Sequence, residues 1–172
     1  MKAISLWQPW ASAIAVGAKR YETRDWSTTY RGPLAIHASK RLVKRELRDL
    51  APHWQAALWP LVHGAFDMPW LRLPFGAVVA VCDLADCIPT YKLSHGITPG
   101  LLAPRRRPQC PEYVWCEHHM GDFSAGRFAW KLENVRPLAV PLPFKGSQGF
   151  FDVEDSLLEF AASVGSGESR RG

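Results

Sequence analysis

Residues 6–40 read LWQPWASAIAVGAKRYETRDWSTTYRGPLAIHASK, and their pattern sets the architecture of the chain. Proline at position 9 suits the first turn of a helix, where its missing N–H goes unused. Trp10, Ala13 and Ile14 form an apolar stripe that Gly17 stops, so two helical turns are predicted. Tyr21–Arg24 then alternates Tyr and Thr with Glu and Arg, the period of a strand carrying charge on one face. Gly32-Pro33 opens a second strand, Leu34–Ala38, in which Leu34, Ile36 and Ala38 share a face opposite Ala35 and His37. Lys19, Glu22 and Arg24, set among Trp7, Trp10 and Trp26, imply the wall of a small polar cleft.

Outward from this stretch, Ile4–Trp7 is a short strand on the N-terminal side. On the other side, Ser39 is expected to cap a basic helix beginning at Lys40, whose Leu42, Leu47 and Leu50 supply an apolar side. Free N–H groups at that helix start would make Ser39 and Lys40 a phosphate site. Gly76–Leu84 is an apolar run that reads as a strand buried on both faces. Residues 90–126 carry many Pro, Gly and charged residues and read as a loop excursion. Phe128, Trp130 and Leu132 alternate with Ala129, Lys131 and Glu133 in another strand. Proline-punctuated extended pieces follow over residues 134–151, with a turn at Gly146-Ser147-Gln148-Gly149. Asp152 is expected to cap a last helix running to Val164, and residues 165–172 to form a flexible tail. Strands of mixed length, few short helices and no βαβ rhythm predict an α+β fold: a small mixed β-barrel flanked by short helices, as one domain over residues 1–160.

The 172 residues are 47% hydrophobic, enough for one core and too few for two comfortable domains. No apolar run reaches the length of a membrane span, and the first residues lack a signal-peptide pattern, so a cytoplasmic monomer without membrane partners is expected. Cys82, Cys87, Cys110 and Cys116 are then expected as thiols. The C-x5-C-x-H-H spacing of Cys110, Cys116, His118 and His119 is not that of common zinc modules, and no metal or cofactor is expected. Charge is unevenly spread. Residues 1–48 hold ten Lys/Arg against three Asp/Glu, a net of +7, while residues 49–172 are net −2. Such asymmetry points to a polyanion-facing surface on the N-terminal elements.

The strings Gln8-Pro9-Trp10-Ala11-Ser12, Gly17-x-Lys19-x-x-Glu22-x-Arg24 and Tyr30-Arg31-Gly32 with Ile36-His37-Ala38 resemble the start of an ASCH (activating signal cointegrator homology) domain. Gly76–Ala80, Phe128–Leu132 and Pro143-Phe144-Lys145-Gly146-x-Gln148-Gly149 extend the likeness over residues 3–155, around the 90–126 excursion. The resemblance implies a PUA-like barrel with a cleft beside which RNA binds. It also implies two alternatives for the cleft, a single-strand-specific ribonuclease that needs no metal and an amidohydrolase of modified nucleosides. The amidohydrolase pattern has a Lys and a nucleophilic Thr; the Lys falls on Lys19, but the Thr position is Glu22, with Thr23 predicted on the opposite face.

These readings converge on single-stranded RNA as the expected partner, with DNA second. Lys19, Arg24, Arg31, Lys40 and either Arg41 or Lys44 would meet phosphates, with Ser39 at the strand end. Trp26 and Tyr30 are read as base-stacking surfaces or core, Glu22 as an acceptor for a base amino group, and Lys145 and Gln148 as residues closing the cleft. In the enzyme alternative Lys19, Glu22 and Tyr30 would carry the chemistry. His37 is read first as a structural histidine bonded to backbone.

Overall fold

The computed structural model describes residues 1–42, 73–94 and 121–164. Among them six strands form one sheet: β1 (Lys2–Gln8), β2 (Tyr21–Arg24), β3 (Gly32–Leu42), β4 (Ala77–Pro89), β5 (Phe128–Pro143) and β6 (Phe150–Asp152). Helices α1 (Trp10–Ala15), α2 (Thr90–Ser94) and α3 (Asp155–Val164) accompany them. Strand order is β2-β5-β4-β3-β1-β6. Only β1 and β3 run parallel, with Lys2 beside Leu34 and Leu6 beside Ala38; the other pairings are antiparallel. The mixed sheet curls into a half-barrel flanked by short helices, the α+β architecture expected from the sequence.

The curl has a local cause. The β4–β5 ladder shifts register between Val78 and Ala80, between Val81 and Asp83, and between Leu84 and Asp86. Each irregularity bends a strand and increases its twist. Pro137 pairs with Ala80 and Pro143 with Ala77, so the prolines of this region sit inside one long, bulged strand. The expectation of separate extended pieces after Asn134 is thereby corrected: proline removes ladder donors, and the bulges absorb the loss.

Both faces of the central strands are covered. Ile4, Leu6, Leu34, Ile36, Ala38, Ala80, Leu84, Trp130 and Leu132 pack on one face with Ile14 of α1. Ala3, Ala35, Val78, Val81, Val153 and Leu158 pack on the other, under α3. The alternation read in β3 therefore holds, with apolar cover on both sides. Ile4, Leu34 and Ile36 are fully buried, and each such side chain contributes about 1.5–3 kcal/mol, an upper figure given a compact unfolded chain.

Four local expectations are corrected. Pro9 precedes α1 instead of entering it: its carbonyl accepts from Ala13 N at 2.9 Å, and Gln8 Oε1 accepts from Ser12 N at 3.2 Å. No helix begins at Lys40, because the parallel pairing of Gln8 with Leu42 carries β3 through Ser39, Lys40 and Arg41. The ladder outcompetes the cap, and Ser39 Oγ instead accepts from Arg41 N at 3.3 Å. Asp152 lies in β6, where it pairs with Lys2; α3 starts at Asp155, whose carboxylate meets the N-terminal ammonium at 2.9 Å. Finally, β4 continues to Pro89, past the expected end at Leu84. The Cys110–His119 cluster, the arginines at 105–107, the basic positions 44, 45 and 48, and the tail lie outside the described residues.

Candidate functional site

β2 is one edge of the sheet, and three strands separate it from β1. Even so, Arg24 of β2 donates from Nη2 to the Ser5 carbonyl of β1 at 2.9 Å. The curl thus brings opposite sides of the sheet together, and aromatic rings fill the seam. Trp26, just past β2, stands edge-on to Phe150 of β6 at 5.3 Å between ring centroids and edge-on to Trp130 of β5 at 4.6 Å. Trp130 stacks on Phe150 at 5.4 Å, and Tyr30 meets Phe150 at 5.5 Å. Such pairs each contribute about 0.5–1.5 kcal/mol beyond the area they bury.

Charge is set into the same seam. Glu22 lies opposite Trp130, and Arg24 opposite Phe128, in the β2–β5 ladder. Opposed residues in an antiparallel pair project to one face, so the carboxylate and guanidinium share the face of the aromatic cluster. Glu22 stands 3.5 Å from Lys19 Nζ and 3.3 Å from Arg24 Nε. Lys19 is 1% exposed, donates to the Tyr21 carbonyl and sits over the Trp10 ring at 5.9 Å. A carboxylate between two cations here holds a geometry more than it adds stability, because desolvation offsets the attraction. One donor beside it has no acceptor, the Nε1 of Trp130, a fully buried residue; Arg24 Nε makes no well-aligned hydrogen bond but faces the Glu22 carboxylate. A buried donor without an acceptor costs about 1–3 kcal/mol.

The remaining predicted residues are dispersed. Arg31 donates to the Thr28 and Tyr30 carbonyls at 3.0 and 2.8 Å and pairs with Asp86 at 2.9 Å, which ties the loop to β4. Tyr30 donates its hydroxyl to the Pro33 carbonyl at 2.5 Å, and burial pushes its phenol above the usual range. Thr23 is turned away from Lys19 and Glu22, as its strand position requires, and accepts from Asp122 N at 2.9 Å. His37 is buried as a structural histidine: Nε2–H donates to the Phe144 carbonyl at 3.0 Å, leaving Nδ1 to accept from Ser5 Oγ at 2.9 Å. Burial lowers its pKa.

Gly146 lies directly on this pair. A Cβ there would stand 2.3 Å from His37 Cε1 and 2.4 Å from Ser5 Oγ, so the missing side chain is what lets the backbone approach this closely. Ser39, Lys40 and Lys145 gather at the end of the sheet where β3 and β5 finish, with Phe144 N donating to the Gly76 carbonyl at 3.0 Å. Gln148 is exposed in the loop before β6.

The predicted residues therefore divide into a seam group (Lys19, Glu22, Arg24, Trp26 and Tyr30), the loop tie Arg31, and a separate end group. Trp130 and Phe150 were missed as site residues. The inward alternation of Phe128, Trp130 and Leu132 was a signal for the first, whereas Phe150 had none beyond following Gly149. Trp7 and Arg41 were also missed as a pair; Arg41 stacks on the Trp7 ring at 4.4 Å.

The geometry can be set beside known proteins. Activating signal cointegrator 1 of Mus musculus is 37% identical over 156 residues, and that of Homo sapiens 36%. The alignment covers 90% of this chain and 22% of the mouse protein, so the chain spans about a fifth of these relatives. Crystal structures of an ASCH protein from Zymomonas mobilis, wild type and a point variant, superpose with TM-scores of 0.50. The variant is 16% identical, with 95% of this chain and 96% of that one covered; the wild type is 15% identical, with 95% and 94% covered. At that identity the likeness concerns the fold. Residues 4–137 match the ASCH domain, a family associated with RNA binding. The chain belongs to the ASCH domain family.

Proposed function

We propose that this domain binds RNA, with an unpaired nucleotide docking at the rim of the β2–β6 seam. The observation that carries the reading is the Glu22 carboxylate, held between Lys19 and Arg24 on the face it shares with Trp130. Trp130 Nε1 is a donor in want of an acceptor, and Glu22 is an acceptor. A nucleobase edge presents both kinds of group, and partly buried Trp26 and Tyr30 border the place with π-faces. Surplus positive charge on residues 1–48 would draw the phosphate backbone to these elements.

Binding is favoured over turnover. Thr23, the nearest hydroxyl to the position of a threonine nucleophile, is committed to Asp122 and faces away. Lys19 and Glu22 stand 3.5 Å apart, which keeps single-strand cleavage as an outcome to be measured. The test is fluorescence anisotropy with labelled single-stranded RNA, duplex RNA and DNA across a salt series, with products resolved on a gel. Tight single-strand binding that weakens with salt, by a log–log slope of about −0.7 per phosphate neutralised, supports the reading. Salt-independent affinity, or no preference for unpaired strands, defeats it. Cleavage lost in Lys19→Ala with the fold intact would replace binding by catalysis.

A further inference from the structure

At the opposite end of the half-barrel from the Arg31–Asp86 tie, β1 and β3 finish, β4 begins and β5 finishes. Four exposed side chains collect there: Trp7, Lys40, Arg41 and Lys145. Trp7 is 42% exposed, although its chain neighbours Leu6 and Gln8 are buried. Its ring carries the Arg41 guanidinium at 4.4 Å. Gly76 packs against the Lys40 stem, where a Cβ would come within 2.8 Å of Cε. The same Gly76 bonds the Ala38 carbonyl through its N–H and Phe144 N through its carbonyl, which draws the loop carrying Lys145 to the end of β3. Among the described residues none of these three cations has an acidic partner, whereas Lys2, Arg24, Arg31, Arg127 and Lys131 all do.

We infer that Trp7 and Arg41 form a second nucleic-acid contact, in which a base of a single strand stacks on the Trp7–Arg41 pair while Lys40 and Lys145 take the flanking phosphates. The inference rests on the RNA-binding reading and extends it to a surface separate from the seam. A guanidinium stacked on one aromatic ring is desolvated on that face and oriented, so little freedom remains to be lost when a second π-surface arrives. Arg41 is exposed, and a guanidinium fork can take a phosphate in two parallel bonds. Three cations without an acidic partner among the described residues, at the end of the sheet that bears an exposed tryptophan, complement a chain of phosphates with bases between them. An acidic peptide would satisfy the charges and leave the stacked pair without a role.

The test is anisotropy with a labelled ten-nucleotide single-stranded RNA and a labelled polyglutamate peptide, for wild type, Trp7→Ala, Arg41→Lys and Lys40→Ala, each checked for folding by circular dichroism. Trp7→Ala should weaken RNA binding about tenfold with the salt slope unchanged, because it removes stacking and no charge. Arg41→Lys should weaken it with the slope likewise kept, and Lys40→Ala should make the slope about 0.7 shallower. Full RNA affinity in Trp7→Ala and Arg41→Lys overturns the inference and leaves the RNA-binding reading standing. Wild type that binds no RNA overturns both. Polyglutamate bound as tightly as RNA, and indifferent to Trp7→Ala, overturns the inference in favour of an acidic protein partner.

Discussion

Arg24 on β2 bonds the Ser5 carbonyl on β1 at 2.9 Å although three strands lie between them in the sheet. That bond, with the Trp26–Phe150 contact beside it, is how an open sheet acquires a closed side. Arg24 also faces Glu22 at 3.3 Å, so a single side chain both closes the half-barrel and fixes the carboxylate of the candidate site. Arg24→Ala should therefore destabilise the domain by about 2–3 kcal/mol, the loss of a charge-assisted bond and of half a largely buried pair. Urea unfolding should show a lower midpoint with an unchanged slope; a midpoint within error of wild type would mean that the aromatic contacts close the seam alone.

Glu22→Gln should cost more, because it removes the carboxylate that faces both Arg24 and the almost wholly enclosed Lys19. Removing one partner of such a pair costs about 3–5 kcal/mol. A double-mutant cycle with Arg24→Gln should return a coupling above about 0.5 kcal/mol. Additive effects would show that the two residues do not act as a unit.

Much of this was legible in residues 6–40, because strand and helix periods there are short-range properties of the chain. The strands at Ile4, Tyr21 and Leu34, and the glycine stop of α1, depend on neighbours within a few positions. What was not legible depended on distant pairing. Nothing local distinguishes Ser39-Lys40 as a strand end from a helix start; the parallel partner Gln8 decides it. Likewise Pro137 and Pro143 argue against a strand until bulges opposite β4 are known. Lys19, Glu22 and Arg24 could be grouped from their spacing, but Phe150, more than 120 residues further on, joins them only through the curl.

Gly146→Ala should destabilise the domain by about 1–3 kcal/mol, the usual cost of forcing an atom into a filled site. The added methyl would meet the His37 ring and Ser5 Oγ, neither of which is a flexible chain end. The loop bearing Lys145 must lift, which should break the His37–Phe144 bond and shift the His37 ring resonances in NMR spectra. Unperturbed resonances together with wild-type stability would show that the loop rides clear of His37.

The same histidine sets a pH dependence of definite sign. Burial lowers its pKa below the ordinary 6.5, so the unfolded chain takes up this proton before the folded one does. Its contribution to stability is complete above the unfolded value. That contribution falls as pH drops through the window between the unfolded value and the lower folded one, then levels off. Urea unfolding from pH 8 to pH 5 should show this loss in wild type and a smaller one in His37→Gln. An equal slope in both proteins would assign the acid sensitivity to other groups.

Trp130→Phe separates folding from recognition at the seam. The substitution removes an indole N–H that is buried without an acceptor, a relief of about 1–3 kcal/mol, and it also removes apolar volume next to Trp26 and Phe150. The two effects oppose each other, so the denaturation midpoint should move by no more than about 1 kcal/mol equivalent. RNA affinity should nonetheless fall about tenfold if the N–H is the donor that meets the base, since one hydrogen bond in a water-poor site is worth about 1.5 kcal/mol. Lowered affinity at preserved stability would assign Trp130 to the binding face. Full affinity would make it a core residue, and the acceptor role of Glu22 would then have to stand without it.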